Sequence, residues 1–111
     1  FVDEIIANVG GLHAALDDDL MGLDLTPCMT DDCVAAAAPL VLPDTIKLDL
    51  SVPAAFPNGR QLPEQVMDVT LALVLLDLNT HPITLFAGLP LNPDANDVPF
   101  PGEFPYVAPA H

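Results

Sequence analysis

Phe56-Pro57-Asn58-Gly59-Arg60-Gln61-Leu62-Pro63-Glu64-Gln65-Val66-Met67-Asp68-Val69-Thr70-Leu71-Ala72-Leu73-Val74-Leu75-Leu76 joins a tight turn to an apolar run. Asn58-Gly59 is a turn dipeptide because both residues tolerate positive φ. Beyond it, Leu62, Val66, Val69, Leu73 and Leu76 recur at the spacing of one helical face. Pro63 suits a first helical turn and Glu64 favours the positive end of the helix dipole. A buried strand over Val69 to Leu75 also fits the unbroken apolar run. The helical reading, over about 63–77, is preferred because the run is long, rich in Leu and Ala, and has Gln65 and Asp68 on one side. Arg60 is the chain's single arginine among 16 acidic residues. A guanidinium placed just after a tight turn is expected to act as a structural clamp, with Asn58 and Gly59 setting the turn. Its planar fork would grip Asp68 or the loop from Asp94 to Asp97.

Upstream, Val2, Ile5, Ile6, Val9, Leu12, Leu16 and Leu20 predict an amphipathic helix over about residues 1–20. Gly10-Gly11 weakens its middle, and Asp17-Asp18-Asp19 opposes the dipole at its end, so a split helix or a fray near Asp19 is expected. A loop follows, carrying Cys28 and Cys33. The spacing of five lets a short loop close as a disulfide in an oxidising compartment. Free thiols are the alternative, and two thiols alone are a weak zinc signal because a structural site needs four ligands. Asp31 or Asp32 is read as the cap of a short helical turn, Val34 to Ala38, which Pro39 stops. Thr45-Ile46-Lys47-Leu48-Asp49-Leu50 alternates apolar with polar and predicts a half-buried strand at about 45–50.

Downstream of Asn79, seven prolines preclude a long helix and predict an extended arm anchored by Phe86, Phe100, Phe104 and Tyr106. The expected architecture is therefore loop-rich α+β: short helices at about 1–20 and 63–77, one or two short strands at about 45–50, and a proline-rich C-terminal arm. With 13 prolines and 6 glycines where average usage in 111 residues gives about 13 together, much irregular structure is expected.

The net charge is −14, with Lys47 and Arg60 the only Lys and Arg residues. A polyanion of this kind repels phosphate, so nucleic acid and anionic membrane surfaces are disfavoured as partners, while cationic ligands and basic surfaces are favoured. No run is long and apolar enough to span a membrane. Asn92, Asp94, Asn96 and Asp97 begin a calcium-loop pattern, but the sixth place holds Asp97 instead of glycine, and Glu103 falls at the twelfth in a segment that should not be helical. Calcium is thus a possible ligand, and turn formation by Asx side chains is the plainer reading. Ser51 is the one serine and lacks flanking glycines, and His13, His81 and His111 are scattered, so no catalytic residue is assigned and an enzyme is the less favoured class.

Phe56-Pro57-Asn58-Gly59-Arg60, Val66 and Asp68, Asp94-Ala95-Asn96-Asp97-Val98-Pro99-Phe100, and Phe104-Pro105-Tyr106-Val107-Ala108-Pro109 occur in this order. The series resembles the C-terminal end of the bacterial domain of unknown function 4331 family. Its pattern runs F-P-N-G-R-R, two acids, V-x-D, and later A-N-D-x-P-F and F-P-Y-[LV]-A. The match covers about residues 39–111, and residues 1–38 only in general character, as a helical lead with a cysteine loop. Gln61 stands where the family tends to have a second arginine, and Glu64-Gln65 where it has paired aspartates. The resemblance implies a secreted, periplasmic or cell-envelope protein and a single segment, 1–111, forming the C-terminal portion of a larger β-containing fold. It supplies no activity, because the family is functionally uncharacterised. The function expected is an extracytoplasmic structural or interaction module, a subunit or processed fragment of a larger envelope or extracellular assembly. The alternative is a small-molecule or calcium-binding secreted protein.

Overall fold

A computed structural model describes residues 2–42, 48–89 and 92–110. Its regular elements are α1 (Val2–Gly22), α2 (Thr30–Val41), α3 (Val66–Leu75) and a 3-10 turn (Phe86–Gly88). Helix α3 packs against α1, α2 and the 3-10 turn, and α1 also packs against α2. No β-strand occurs among the described residues, only isolated bridges pairing Pro27 with Leu76 and Ala55 with Asn58. The α+β expectation is therefore corrected to a three-helix fold with long irregular segments.

The expected strand at 45–50 falls partly on residues 43–47, which lie outside the described residues and include Lys47. Its described end, Leu48 to Leu50, is irregular. The Asn58 side-chain amide takes the place of a neighbouring strand: its Oδ1 accepts the Asp49 N–H at 2.7 Å and its Nδ2 donates to the Asp49 carbonyl at 2.9 Å. The backbone is satisfied locally, and Leu50, 87% exposed, has no sheet face to bury against.

Helix α1 runs unbroken through Gly10-Gly11 and past the three aspartates, because Val9, His13 and Leu20 bury one stripe of it. It ends in a Schellman motif. The Leu25 N–H reaches the Leu20 carbonyl at 2.9 Å, and the Asp24 N–H reaches Met21 at 3.1 Å. Asp24 holds the left-handed conformation (φ 59°) that glycine usually supplies at this place, and Leu25 joins Leu20 in the core.

Helix α2 starts earlier and ends later than the expected Val34 to Ala38. The Cys33 N–H bonds the Met29 carbonyl at 2.9 Å, so Asp31 and Asp32 lie inside the first turn, where their charge suits the dipole, and neither is the cap. Pro39 sits inside the last turn without stopping the helix. It withholds an N–H only from the carbonyl of Ala35, an exposed residue that water can reach, and the Leu42 N–H still closes on Ala38 at 2.9 Å.

Helix α3 upholds the helical reading of the apolar run, but it begins at Val66, since Glu64 is drawn into the preceding turn. It is apolar nearly all round and accordingly supplies most of the core: Ala72, Leu75 and Leu76 cluster with Leu20 and Phe86. In the C-terminal arm, Phe86 is buried and Phe100 half-buried, as expected of anchors. Phe104 and Tyr106 are not anchors; Phe104 is 86% exposed, and the two rings pack edge-on against each other at 6.2 Å. The radius of gyration is 16.0 Å, against about 13 Å for a compact chain of this length.

Leu76→Ala is expected to lower unfolding free energy by about 2–4 kcal/mol, while Leu50→Ala stays within about 0.5 kcal/mol. Urea melts followed by circular dichroism measure both, and equal effects would contradict this placement of the core.

Candidate functional site

The C-terminal end of α3 lies in the interior, where its last carbonyls have no helical partner and little water. Three groups supply donors. The Leu76 N–H closes on Ala72 at 3.0 Å, the Cys28 N–H on Leu75 at 3.1 Å, and the His13 Nε2 on the Val74 carbonyl at 3.0 Å. The Asp77 N–H adds a bond to the Thr26 carbonyl at 2.9 Å, and the His81 Nε2 accepts the Thr26 N–H at 2.8 Å. The segment 26–28 is thereby laid along the end of α3, which fixes Cys28 beside His13.

His13 projects from the third turn of α1 and is only 4% exposed. Its Nδ1 lies 2.8 Å from Asp17 Oδ1, one turn further along the helix. Its Nε2 also lies 3.3 Å from Cys33 Sγ. Both ring nitrogens thus face oxygen atoms, Nδ1 the Asp17 carboxylate and Nε2 the Val74 carbonyl. Cys33 is 2% exposed, whereas Cys28 is half-buried and opens on a surface depression of about 480 Å³ lined also by Asp17, Thr30 and Asp31.

Cys28 and Cys33 are joined as a disulfide with a Cα–Cα distance of 5.8 Å, as the spacing led us to expect. Closing so short a loop restricts the unfolded chain by about 2 kcal/mol in the entropic model. Among the described residues, His13, Cys28 and Cys33 are the group of three His, Cys, Asp or Glu side chains whose ligand atoms converge, all within 4.8 Å of one another. In the sequence His13 is one of three scattered histidines. Its place in the 9, 13, 16, 20 stripe and its spacing of four from Asp17 were the available signals; contact with Cys33 had none.

The expected clamp is redistributed. Gly59 takes the left-handed turn conformation (φ 88°), and Asn58 binds Asp49 as described. Arg60 does not reach Asp68: it stacks over the Phe56 ring at 4.1 Å and donates from Nη1 to the Gly59 carbonyl at 3.0 Å. The residue that ties the turn is Glu64, whose two carboxylate oxygens accept the Phe56 N–H at 3.0 Å and the Gln61 N–H at 2.7 Å. Asp68 faces the interior, fully buried, where Asn92 donates to its Oδ1 and its Oδ2 has no hydrogen-bond partner among the described residues. An exposed arginine cannot follow it there. Among the residues read as a calcium loop, Asn92 thus turns its amide to Asp68, Asn96 donates to the Val98 carbonyl at 2.6 Å, and Asp94 and Asp97 are exposed.

No family model, curated protein or solved structure matches this chain.

The two backbone N–H bonds hold the Glu64 carboxyl below its ordinary value of 4.5, with Arg60 assisting by charge. A depressed folded-state pKa contributes stability that is present above 4.5 and lost as pH falls through the folded value. Thermal melts between pH 7 and pH 3 should therefore show a loss that Glu64→Gln reduces. Arg60→Ala should cost only about 0.5–1 kcal/mol, the worth of an exposed cation–π contact. A larger cost for Arg60→Ala than for Glu64→Ala would restore the arginine as the clamp.

Proposed function

We propose that this chain is an extracytoplasmic structural or interaction module, one component of a larger envelope or extracellular assembly. The observation that carries the reading is its surface. The chain exposes 7967 Å², against about 5,900 Å² for a compact monomer of 11.7 kDa. The excess of about 2,000 Å² is on the scale of an obligate interface. The disulfide suits an oxidising compartment, no helix among the described residues is long and apolar enough to cross a membrane, and the motif series resembling the domain of unknown function 4331 family points the same way.

The docking face is an apolar groove of about 260 Å³ between the end of α1, α3 and the 3-10 turn, lined by Leu16, Leu23, Leu25, Leu71 and Leu89, with Asp19 at its edge. Charge selects the occupant. A second copy of a chain bearing −14 is repelled, whereas an amphipathic helix with basic residues flanking its apolar face meets Asp19.

A labelled Leu/Lys amphipathic peptide of about 18 residues, five helical turns, provides the probe, with a Leu/Glu twin and a scrambled Leu/Lys peptide as controls. Fluorescence anisotropy should show saturable binding of the first alone. Leu23→Ser, at a side chain 70% exposed and so dispensable for folding, should weaken it about 10-fold or more. Equal binding of the scrambled peptide, or none by any, would rule out this groove as the docking face.

A further inference from the structure

We propose that the His13–Cys28–Cys33 cluster is a redox-gated site for a borderline-soft divalent cation, Zn²⁺ foremost. The site lies apart from the docking groove and rests on the cluster's geometry alone.

Two thiolates and an imidazole form the ligand set that selects zinc over calcium or magnesium. A tetrahedral zinc ion sets its sulfur and nitrogen ligands about 3.5 Å apart and two sulfurs about 3.8 Å apart. Cys33 Sγ and His13 Nε2 already stand at 3.3 Å, and all three ligand atoms fall within 4.8 Å. The second observation is Asp17. Its carboxylate at 2.8 Å from Nδ1 is the partner that metal-binding histidines require, holding the ring so that Nε2 faces the sulfurs. The half-buried Cys28 opens on the depression lined by Asp17 and Asp31, which gives a cation an acidic approach and leaves the fourth position to water.

In the oxidised protein both sulfurs are spent on each other and Nε2 is engaged with Val74. An external dithiol delivers two electrons and two protons: the Cys28–Cys33 bond breaks, two thiols form, and the reductant leaves as its own disulfide. Cation entry then displaces the two thiol protons, and the ring binds through the Nε2 lone pair as the neutral Nδ1–H tautomer, with that N–H donated to Asp17. The ion exchanges one brace for another. In each state the start of α2 remains tied to α1 and to the end of α3.

The test uses the full chain, reduced with a phosphine under nitrogen and desalted, then titrated with Co²⁺ as a spectroscopic probe. The expected result is one Co²⁺ per chain, with thiolate-to-cobalt charge transfer and tetrahedral ligand-field bands that Zn²⁺ abolishes. The oxidised chain should give none. Cys28→Ser should remove the two-thiolate signature, and Asp17→Asn, which acts through the ring, should lower affinity about 10-fold or more while leaving the band positions unchanged. His13→Gln should lose the site; because His13 also caps α3, the imidazole is read independently in wild type as a hyperfine-shifted ring N–H in the proton NMR of the Co²⁺ form. A reduced, helical chain that takes up no Co²⁺ overturns the proposal. So does a cobalt spectrum indifferent to Cys28→Ser, the absence of the shifted ring proton, or a reduced chain that unfolds and is not refolded by Zn²⁺.

Discussion

An apolar helix that ends inside a protein leaves carbonyl groups where water cannot reach them, and the fold depends on how α3 resolves this. A histidine from α1 and the backbone N–H of Cys28 are brought to Val74 and Leu75. The remaining arrangement follows from these bonds. Placing Cys28 there puts it within disulfide reach of Cys33 in the first turn of α2, and closing that bond docks α2 against both other helices. One buried polar requirement thus organises three helices and gathers His13, Cys28 and Cys33 into one cluster.

Away from this centre, the structure is held by short-range polar bracing. Asn58 pairs with the backbone of Asp49, Glu64 gathers two N–H groups, and Asp77 accepts from Asn79 and Thr80. Such bonds satisfy a proline-rich backbone that cannot form ladders, but they bury little apolar surface. The consequence is an open molecule with Phe104, Leu50 and Leu23 in solvent and an apolar groove bordered by Asp19. Surface of this composition is useful to a component whose partner covers it.

Where periodicity and local chemistry agreed, the elements were legible. The stripe from Val9 to Leu20 and the run from Val66 to Leu75 became α1 and α3, and the five-residue cysteine spacing became a bridge. The errors have a common origin. Proline 39 reads as a stop, yet it matters little when it falls in a last turn already open to water. The alternation at 45–50 reads as a strand, yet an alternating segment needs a partner, and the chain offers Leu48 to Leu50 an asparagine side chain. Arg60 reads as the clamp because it is the single arginine, while Glu64, one acid among sixteen, meets the turn's unpaired N–H groups.

Sequence by itself determined the helical faces, the acidic surface, the proline-rich irregular segments and the cysteine pair, because each depends on composition or on spacings of a few residues. Tertiary structure alone decided which polar groups meet: His13 with Val74 and Cys33, Asp68 with Asn92, and the 26–28 segment with the end of α3. These partners lie 20 to 61 residues apart along the chain wherever a side chain is involved. Their pairing is set by where buried, unsatisfied groups fall once the apolar faces have packed. That requirement arises only in three dimensions, and it converts a scattered histidine into the centre of the molecule.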